Sequence, residues 1–373
     1  MLLFQLFGAT QGPHILPLVE EFARNKDVVC VVLAPPKEIQ PTQELFPNTL
    51  VSSINSTWFV LFWDVVIAVD QGMRLPFFSL LAGQRICMFH GQPSKGNTYL
   101  KFNHQQFDHL FFYGESMKNK FLREQQDHPE WQGLELHDIG QPKSDALVNS
   151  DRAEQRSKSR QSLRIDENAN VVLYAPSFES CASFRSSGED IIEGLISTGH
   201  HLIVKPHPTF YRVNDPSDPT YFNVPHREEW RSRAAQLEKA GAVTFPIDRQ
   251  IPSEVAIPAA DLLITDHSGI AFDAILLDIP VIYFHADEFF TRYLPEKFGV
   301  DGQRALNDIT CNGGRDAGDV VYTVDELKAA VENNLQDPER NKEARSTIRN
   351  TLLFNAGGAT QAAIAKILEL VNR

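Results

Sequence analysis

Three short apolar runs constrain this chain more than any other feature. Each ends abruptly in polar residues: "VVLYAPSFES" from Val171, "HLIVKPHP" from His201 and "LLITDHSG" from Leu262. A run of apolar residues that stops at a proline or a turn fits a strand covered on both faces, as in parallel sheets. Open parallel sheets hold their ligands beyond the carboxyl ends of the strands. Three strands that each deliver a polar cluster at that end predict a ligand site along one sheet edge.

The rest of the chain has the same grammar. "LLFQLF" reads as a strand, Gly8 to Gly12 as a turn, and Pro13 as the first turn of a helix facing inward through Ile15, Leu18, Val19 and Phe22. "DVVCVVLA", "DVVIAV", "RICMF" and "HLFFYG" follow as further strands. Residues 150–168 are highly charged and without aromatics, which predicts a solvated helix at a domain junction. "TVDELKAAVENNL" is an amphipathic helix capped by Thr323 or Asp325, and "TQAAIAKILELVNR" a final apolar-faced one. The alternation of strand and helix predicts an α/β chain of two Rossmann-like domains with parallel sheets facing across a cleft. At 373 residues the chain is long for a single core. The expected boundaries are 1–150, 151–350 and a terminal helix over 351–373 that packs back on the first domain.

Several function classes drop out. Acidic residues outnumber basic ones by 48 to 35, for a formal charge of −13, so the basic footprint of a nucleic-acid binder is missing. The chain contains no GxGxxG, GxxxxGK[ST], GxSxG or HExxH pattern. Its four cysteines are scattered, which argues against a disulfide framework and fits a reducing cytoplasm. The histidines outside the polar clusters show no metal-ligand spacing along the chain, which places no metal site, and no cofactor is expected. The first residues lack the positive and long apolar regions of a signal peptide, and "WFVLFWDVVIAV" is too short to span a bilayer. It reads as one or two core strands. A soluble chain with peripheral membrane contact at most is the expectation.

Four polar clusters can carry chemistry. After strand 262–265, Thr265, Asp266, Ser268 and Gly269 lead into a helix whose first turn offers backbone N–H groups to a phosphate, while Asp266 or Ser268 could equally serve as a plain helix cap. In "HLIVKPHP", Lys205 and His207 flank a proline, and alternation puts them on one side, where one anion could meet both. Pro176 and Ser177 end the strand from Val171. In "CMFHGQPSKG", His90 stands at a strand's carboxyl end with glycine directly after it, as a base at the edge of a cleft would. His200 and His201 precede their strand and read as solvated.

In their order along the chain these clusters resemble the CDP-glycerol glycerophosphotransferase family, the teichoic-acid polymerases and primases of GT-B type. "FHGQPSKG", "IGQPKSD", "LYAPSFE", "KPHP" and "ADLLITDHSGIAFDAILLDIPVIYF" are similar to five of its segments, over about residues 85 to 335. The opening "GATQGPHILPLVEEF" is similar to that of non-hydrolysing UDP-sugar epimerases, whose nucleotide motif is absent here. Five positions depart from the family pattern: His267, Gly269, Gln92, Ser94 and Glu179.

The resemblance implies a transferase moving a polyol phosphate, glycerol phosphate first, from a CDP-linked donor. The acceptor would be a hydroxyl of a cell-surface glycan or lipid-linked precursor, and the enzyme would work in the cytoplasm at the inner membrane face. His90 would be the general base in an acceptor-side first domain. His207 would contact the donor's phosphates or aid the leaving nucleotide, while Asp266, Ser268 and Gly269 would frame the pyrophosphate in the second domain. Lys205, Thr265, Pro176 and Ser177 would lie about it, and Asp273 would belong to the same segment. A GT-B glycosyltransferase using a nucleotide sugar, or a silent nucleotide- or glycan-binding module, remains the alternative. The presence of both His90 and His207 weighs against silence.

Overall fold

The structure is a computed structural model and describes residues 1–6, 9–53, 62–70, 82–91, 104–211, 224–239, 243–246 and 250–372. The chain forms two units. The first comprises residues 1–92, 97–149 and 351–373; the second comprises 93–96 and 150–350.

Among the described residues, the first unit holds a seven-stranded parallel sheet in the order β3-β2-β1-β4-β5-β6-β7. Its strands are β1 (Leu2–Gln5), β2 (Cys30–Ala34), β3 (Leu50–Ser53), β4 (Val65–Ala68), β5 (Gln84–Met88), β6 (His109–Phe112) and β7 (Glu135–Asp138). Alternation feeds two cores. Leu2 and Phe4 of β1 join one cluster with Val65 and Ile67, while Leu3 joins the other with Val66 and Ala68. Covering both faces removes nearly all of these side chains from water. Truncating one as large as Phe4 costs about 3–5 kcal/mol.

The expected inner face of the first helix, Ile15, Leu18, Val19 and Phe22, is buried. Its start differs from expectation. Pro13 lies in a 3-10 turn over Ala9–His14, and the α-helix begins at Leu16 with Pro17 in its first turn. Two prolines four residues apart split the segment, because each removes a helical donor.

The terminal helix Ala359–Val371 contributes Ala363, Ile367 and Leu370 to the first unit's core. "IGQPKSD" explains how it docks. Gly140 has φ +95°, and a Cβ there would collide with the carbonyl of Phe354. Asp145 accepts from Ala359 N at 3.0 Å and Thr360 N at 2.7 Å, capping the returning helix.

Among its described residues the second unit carries a six-stranded parallel sheet in the order β10-β9-β8-β11-β12-β13. The strands are β8 (Val171–Tyr174), β9 (His201–Val204), β10 (Val243–Thr244), β11 (Leu262–Thr265), β12 (Val281–Phe284) and β13 (Asp319–Val321). Thr323 caps the helix Val324–Gln336 by accepting from Glu326 N, and Leu327, Ala330 and Val331 are buried beneath it.

The charged run after residue 150 folds into the helix Arg152–Leu163, which is more than a solvated connector. Arg160 is fully buried, donating to the carbonyls of Ala259, Glu167 and Ala169 and to Asp261 Oδ2 at 2.7 Å. A guanidinium saturated in this way is a clamp. It fastens the helix to the segment entering β11. His201, expected in solvent, is half-buried with Nε2 at 2.9 Å from Thr244 Oγ1.

Candidate active site

Strand order makes β8 and β11 neighbours. From β8 the chain crosses through the helix Ser183–Ser197 to β9 on one side. From β11 it crosses through Ile270–Leu276 to β12 on the other. Their carboxyl ends therefore part in opposite directions, which opens a crevice at this point of a doubly wound sheet. β9 pairs with β8, so the polar ends of all three strands emerge side by side: Pro176 and Ser177, Lys205 and His207, and Thr265 to Gly269.

The loops are held from within. Asp266 is buried, and its carboxylate accepts from Ser177 N at 2.9 Å, Ser183 N at 3.0 Å, Ser183 Oγ at 2.9 Å and its neighbour His267 N at 2.7 Å. Asp266 thus caps the helix Ser183–Ser197 from another strand, instead of its own helix. Thr265 Oγ1 donates to Ala175 O at 2.7 Å. Both side chains are committed to hydrogen bonds within the crevice walls.

Below them runs a buried polar chain. Ser177 Oγ donates to Glu179 Oε2 at 2.5 Å, and His267 Nε2 lies 2.9 Å from the same oxygen. His267 stacks on Phe289 with centroids 3.5 Å apart and planes 9° off parallel. Two of the departures from the family pattern, Glu179 and His267, therefore contact each other. Burial and the Glu179 carboxylate push the nearby Cys181 thiol up to about 11, so it stays protonated and non-nucleophilic near neutrality.

The other side chains at this edge differ in exposure. Lys205 is only 5% exposed, and its backbone N–H continues the ladder to Tyr174 O at 2.9 Å. His207 is half-buried with its ring 4.6 Å from that of Phe178, which ties the β9 loop to the β8 loop. Ser268 and Gly269 are half-exposed where the helix Ile270–Leu276 starts, and Asp273 is in its first turn.

The first unit has its own polar edge. His90 leaves the carboxyl end of β5, with its side chain 52% exposed, and its Nδ1 lies 2.7 Å from Asp70 Oδ2. Asp70 leaves the adjacent β4 by the same margin, two residues past the strand's last residue. A carboxylate on Nδ1 fixes the tautomer that carries a lone pair on Nε2, the form a base requires. The His14 ring centroid is 6.3 Å away, edge-on. Burial, with Lys143 and His90 adding to it, holds His14 well below the usual histidine range, so it is neutral at pH 7. The rest of the "FHGQPSKG" stretch, 92–96, lies outside the described residues.

The model of the CDP-Glycerol:Poly(glycerophosphate) glycerophosphotransferase family matches residues 94–369, well over half of the chain. The chain belongs to this family. It is thus a glycerophosphotransferase that takes glycerol phosphate from CDP-glycerol. Among solved structures, the transferase is similar to the wall teichoic acid polymerase TagF, with TM-score 0.66 and 16% identity over 100% of this chain and 89% of TagF. A TagF variant soaked with CDPG is equally similar, at 0.66 and 16%, over 100% and 88%. UDP-GlcNAc 2-epimerase from Neisseria meningitidis, bound to UDP-GlcNAc, gives 0.61 and 14% over 99% and 100%. Identities this low speak to the fold, and all three place the glycerophosphotransferase among two-domain α/β enzymes of GT-B type. No curated protein matches it in sequence.

Sequence reasoning missed Asp70, His14, Ser183 and the role of Glu179. A signal existed for Asp70, because "VVIAVD" is one more apolar strand ending in a polar residue.

Proposed function

We propose that the His90–Asp70 pair is the proton acceptor of glycerol phosphate transfer, and that the β8–β9–β11 edge of the second unit binds the diphosphate of CDP-glycerol. The acceptor is a hydroxyl of a cell-surface glycan, a growing polyol phosphate chain or a lipid-linked precursor. Its oxygen bonds to the phosphorus bearing glycerol, the bond from that phosphorus to CMP breaks, and the hydroxyl proton passes to His90 Nε2. Phosphoryl transfer demands positioning and charge neutralisation rather than covalent chemistry. An imidazole, whose unperturbed value is roughly 6.5, is the side chain suited to such a proton transfer near neutral pH.

In this reading Lys205 offsets phosphate charge, and His207 donates to a phosphate oxygen or to the departing CMP. Ser268 and Gly269 present backbone N–H groups, and Asp266 and Thr265 hold the crevice open. No helix among the described residues is long and apolar enough to cross a membrane. That fits work in the cytoplasm at the inner membrane face, with peripheral contact to the membrane that carries the acceptor.

The observation that carries the reading is the 2.7 Å contact between His90 Nδ1 and Asp70 Oδ2 on a half-exposed imidazole. A thermal-shift panel with CDP-glycerol, CDP-ribitol and UDP-GlcNAc tests the donor. CDP-glycerol should raise the melting temperature most; stabilisation by the UDP-sugar alone would replace this reading with glycosyl transfer.

A further inference from the structure

At the opposite edge of the first unit's sheet, where strands begin, three side chains converge that the transfer reaction does not use. His109 opens β6, and Glu135 and His137 lie on the neighbouring β7. One ligand atom from each lies within 4.8 Å of the others. His109 Nδ1 is 3.2 Å from His137 Nε2 and 3.7 Å from Glu135 Oε2. Ligands about 2.1 Å from a tetrahedral ion stand roughly 3.4 Å apart, so these spacings are those of a coordination shell.

His109 is held from its far side as well. Its Nε2–H donates to Gln84 Oε1 at 2.7 Å, which leaves the lone pair on Nδ1, facing the other two ligands. Metal-binding histidines are commonly oriented by such a partner on the far ring nitrogen. His109 is buried, while His137 is half-buried with its ring edge-on to Phe111 at 5.5 Å, so the donor set is anchored. An open cavity of about 570 Å³, lined by Gln84, His109, Glu130 and Glu135 among others, adjoins the cluster. It supplies an entry path and room for a water as fourth ligand.

We propose that His109, His137 and Glu135 bind a borderline divalent transition metal, zinc above all. Two imidazoles and a carboxylate suit Zn²⁺, whereas Mg²⁺ prefers an oxygen octahedron. Bound there, the ion joins the edge strand β7 to β6, away from His90 at the carboxyl edge. Spacing along the chain hides the site because its ligands come from adjacent strands.

The test is calorimetric titration of the chelator-treated full-length protein with ZnSO₄, with MgCl₂ as control. One Zn²⁺ per chain should bind at this cluster, and Mg²⁺ should not compete. Glu135→Gln and His137→Ala should each weaken that binding by at least roughly 10-fold, and Gln84→Ala by roughly 10–100-fold through lost orientation of His109. His90→Asn should bind as wild type does. Glu135 is exposed, so Glu135→Gln keeps the fold and serves if His137→Ala does not. Absence of stoichiometric Zn²⁺ binding, or wild-type affinity in Glu135→Gln and His137→Ala, overturns the proposal.

Discussion

Asp70 Oδ2 meets His90 Nδ1 at 2.7 Å, and the two residues leave adjacent parallel strands at one edge of the first sheet. In the proposed function the carboxylate orients the imidazole and does not itself touch the reacting atoms. Asp70→Asn should therefore lower kcat by roughly 10-fold or more while leaving the KM for CDP-glycerol near wild type. In a His90→Ala background the same change should have little further effect, because residues acting as one unit are non-additive. Steady-state kinetics of the single and double variants check this; additive losses would separate Asp70 from His90.

In the proposed function Lys205 and His207 meet the donor's phosphates. Lys205→Ala should weaken CDP-glycerol binding in calorimetry by roughly 10-fold, the order expected when a charge-assisted hydrogen bond is lost. Lys205 is nearly buried, so circular dichroism must show the variant folded. His207→Asn should retain part of the binding and lose turnover. Unchanged affinity in both variants would remove the β9 loop from the donor site.

Asp266 is a stability residue. Four donors converge on its carboxylate, and an amide in its place would point N–H groups at N–H groups. Asp266→Asn should cost about 2–4 kcal/mol in urea unfolding, from lost charged hydrogen bonds and stranded donors. A change under about 0.5 kcal/mol would mean that the loops are held by other contacts.

His14 sets an acid limit. Its folded-state value is depressed by burial first, then by Lys143 and His90. As pH falls below the unfolded value of about 6.5, the unfolded chain takes up a proton that the folded chain refuses, so stability declines. His201 and His285, also lowered chiefly by burial, act in the same direction. His14→Asn should flatten the loss of unfolding free energy between about pH 6.5 and pH 5 without changing it at pH 8. An unchanged slope would mean that His14 protonates freely in the folded state.

Much of this molecule was legible before any coordinates. β8, β9 and β11 announce themselves because a strand covered on both faces must be a bare apolar run, and its polar end must be a loop. Pairings across the sheet were not legible. Asp70 and His90 are twenty residues apart and meet only because β4 and β5 are neighbours. Glu179 and His267 read as departures from a pattern until contact between them shows that each supplies the other's partner. Arg160 hides in a charged run, since no periodicity distinguishes a guanidinium saturated by carbonyls from one in water. His109 and His137 escaped for the same reason as Asp70.

The most direct test follows transfer itself. Purified protein is given CDP-glycerol labelled in its glycerol and an acceptor ending in glycerol phosphate, and CMP release and label transfer are recorded for wild type and His90→Asn. The account predicts coupled CMP release and acceptor labelling by wild type. His90→Asn should bind CDP-glycerol with wild-type affinity and turn over roughly 10²–10⁴-fold more slowly. Turnover by His90→Asn close to wild type, or labelling that needs a sugar nucleotide in place of CDP-glycerol, would contradict it.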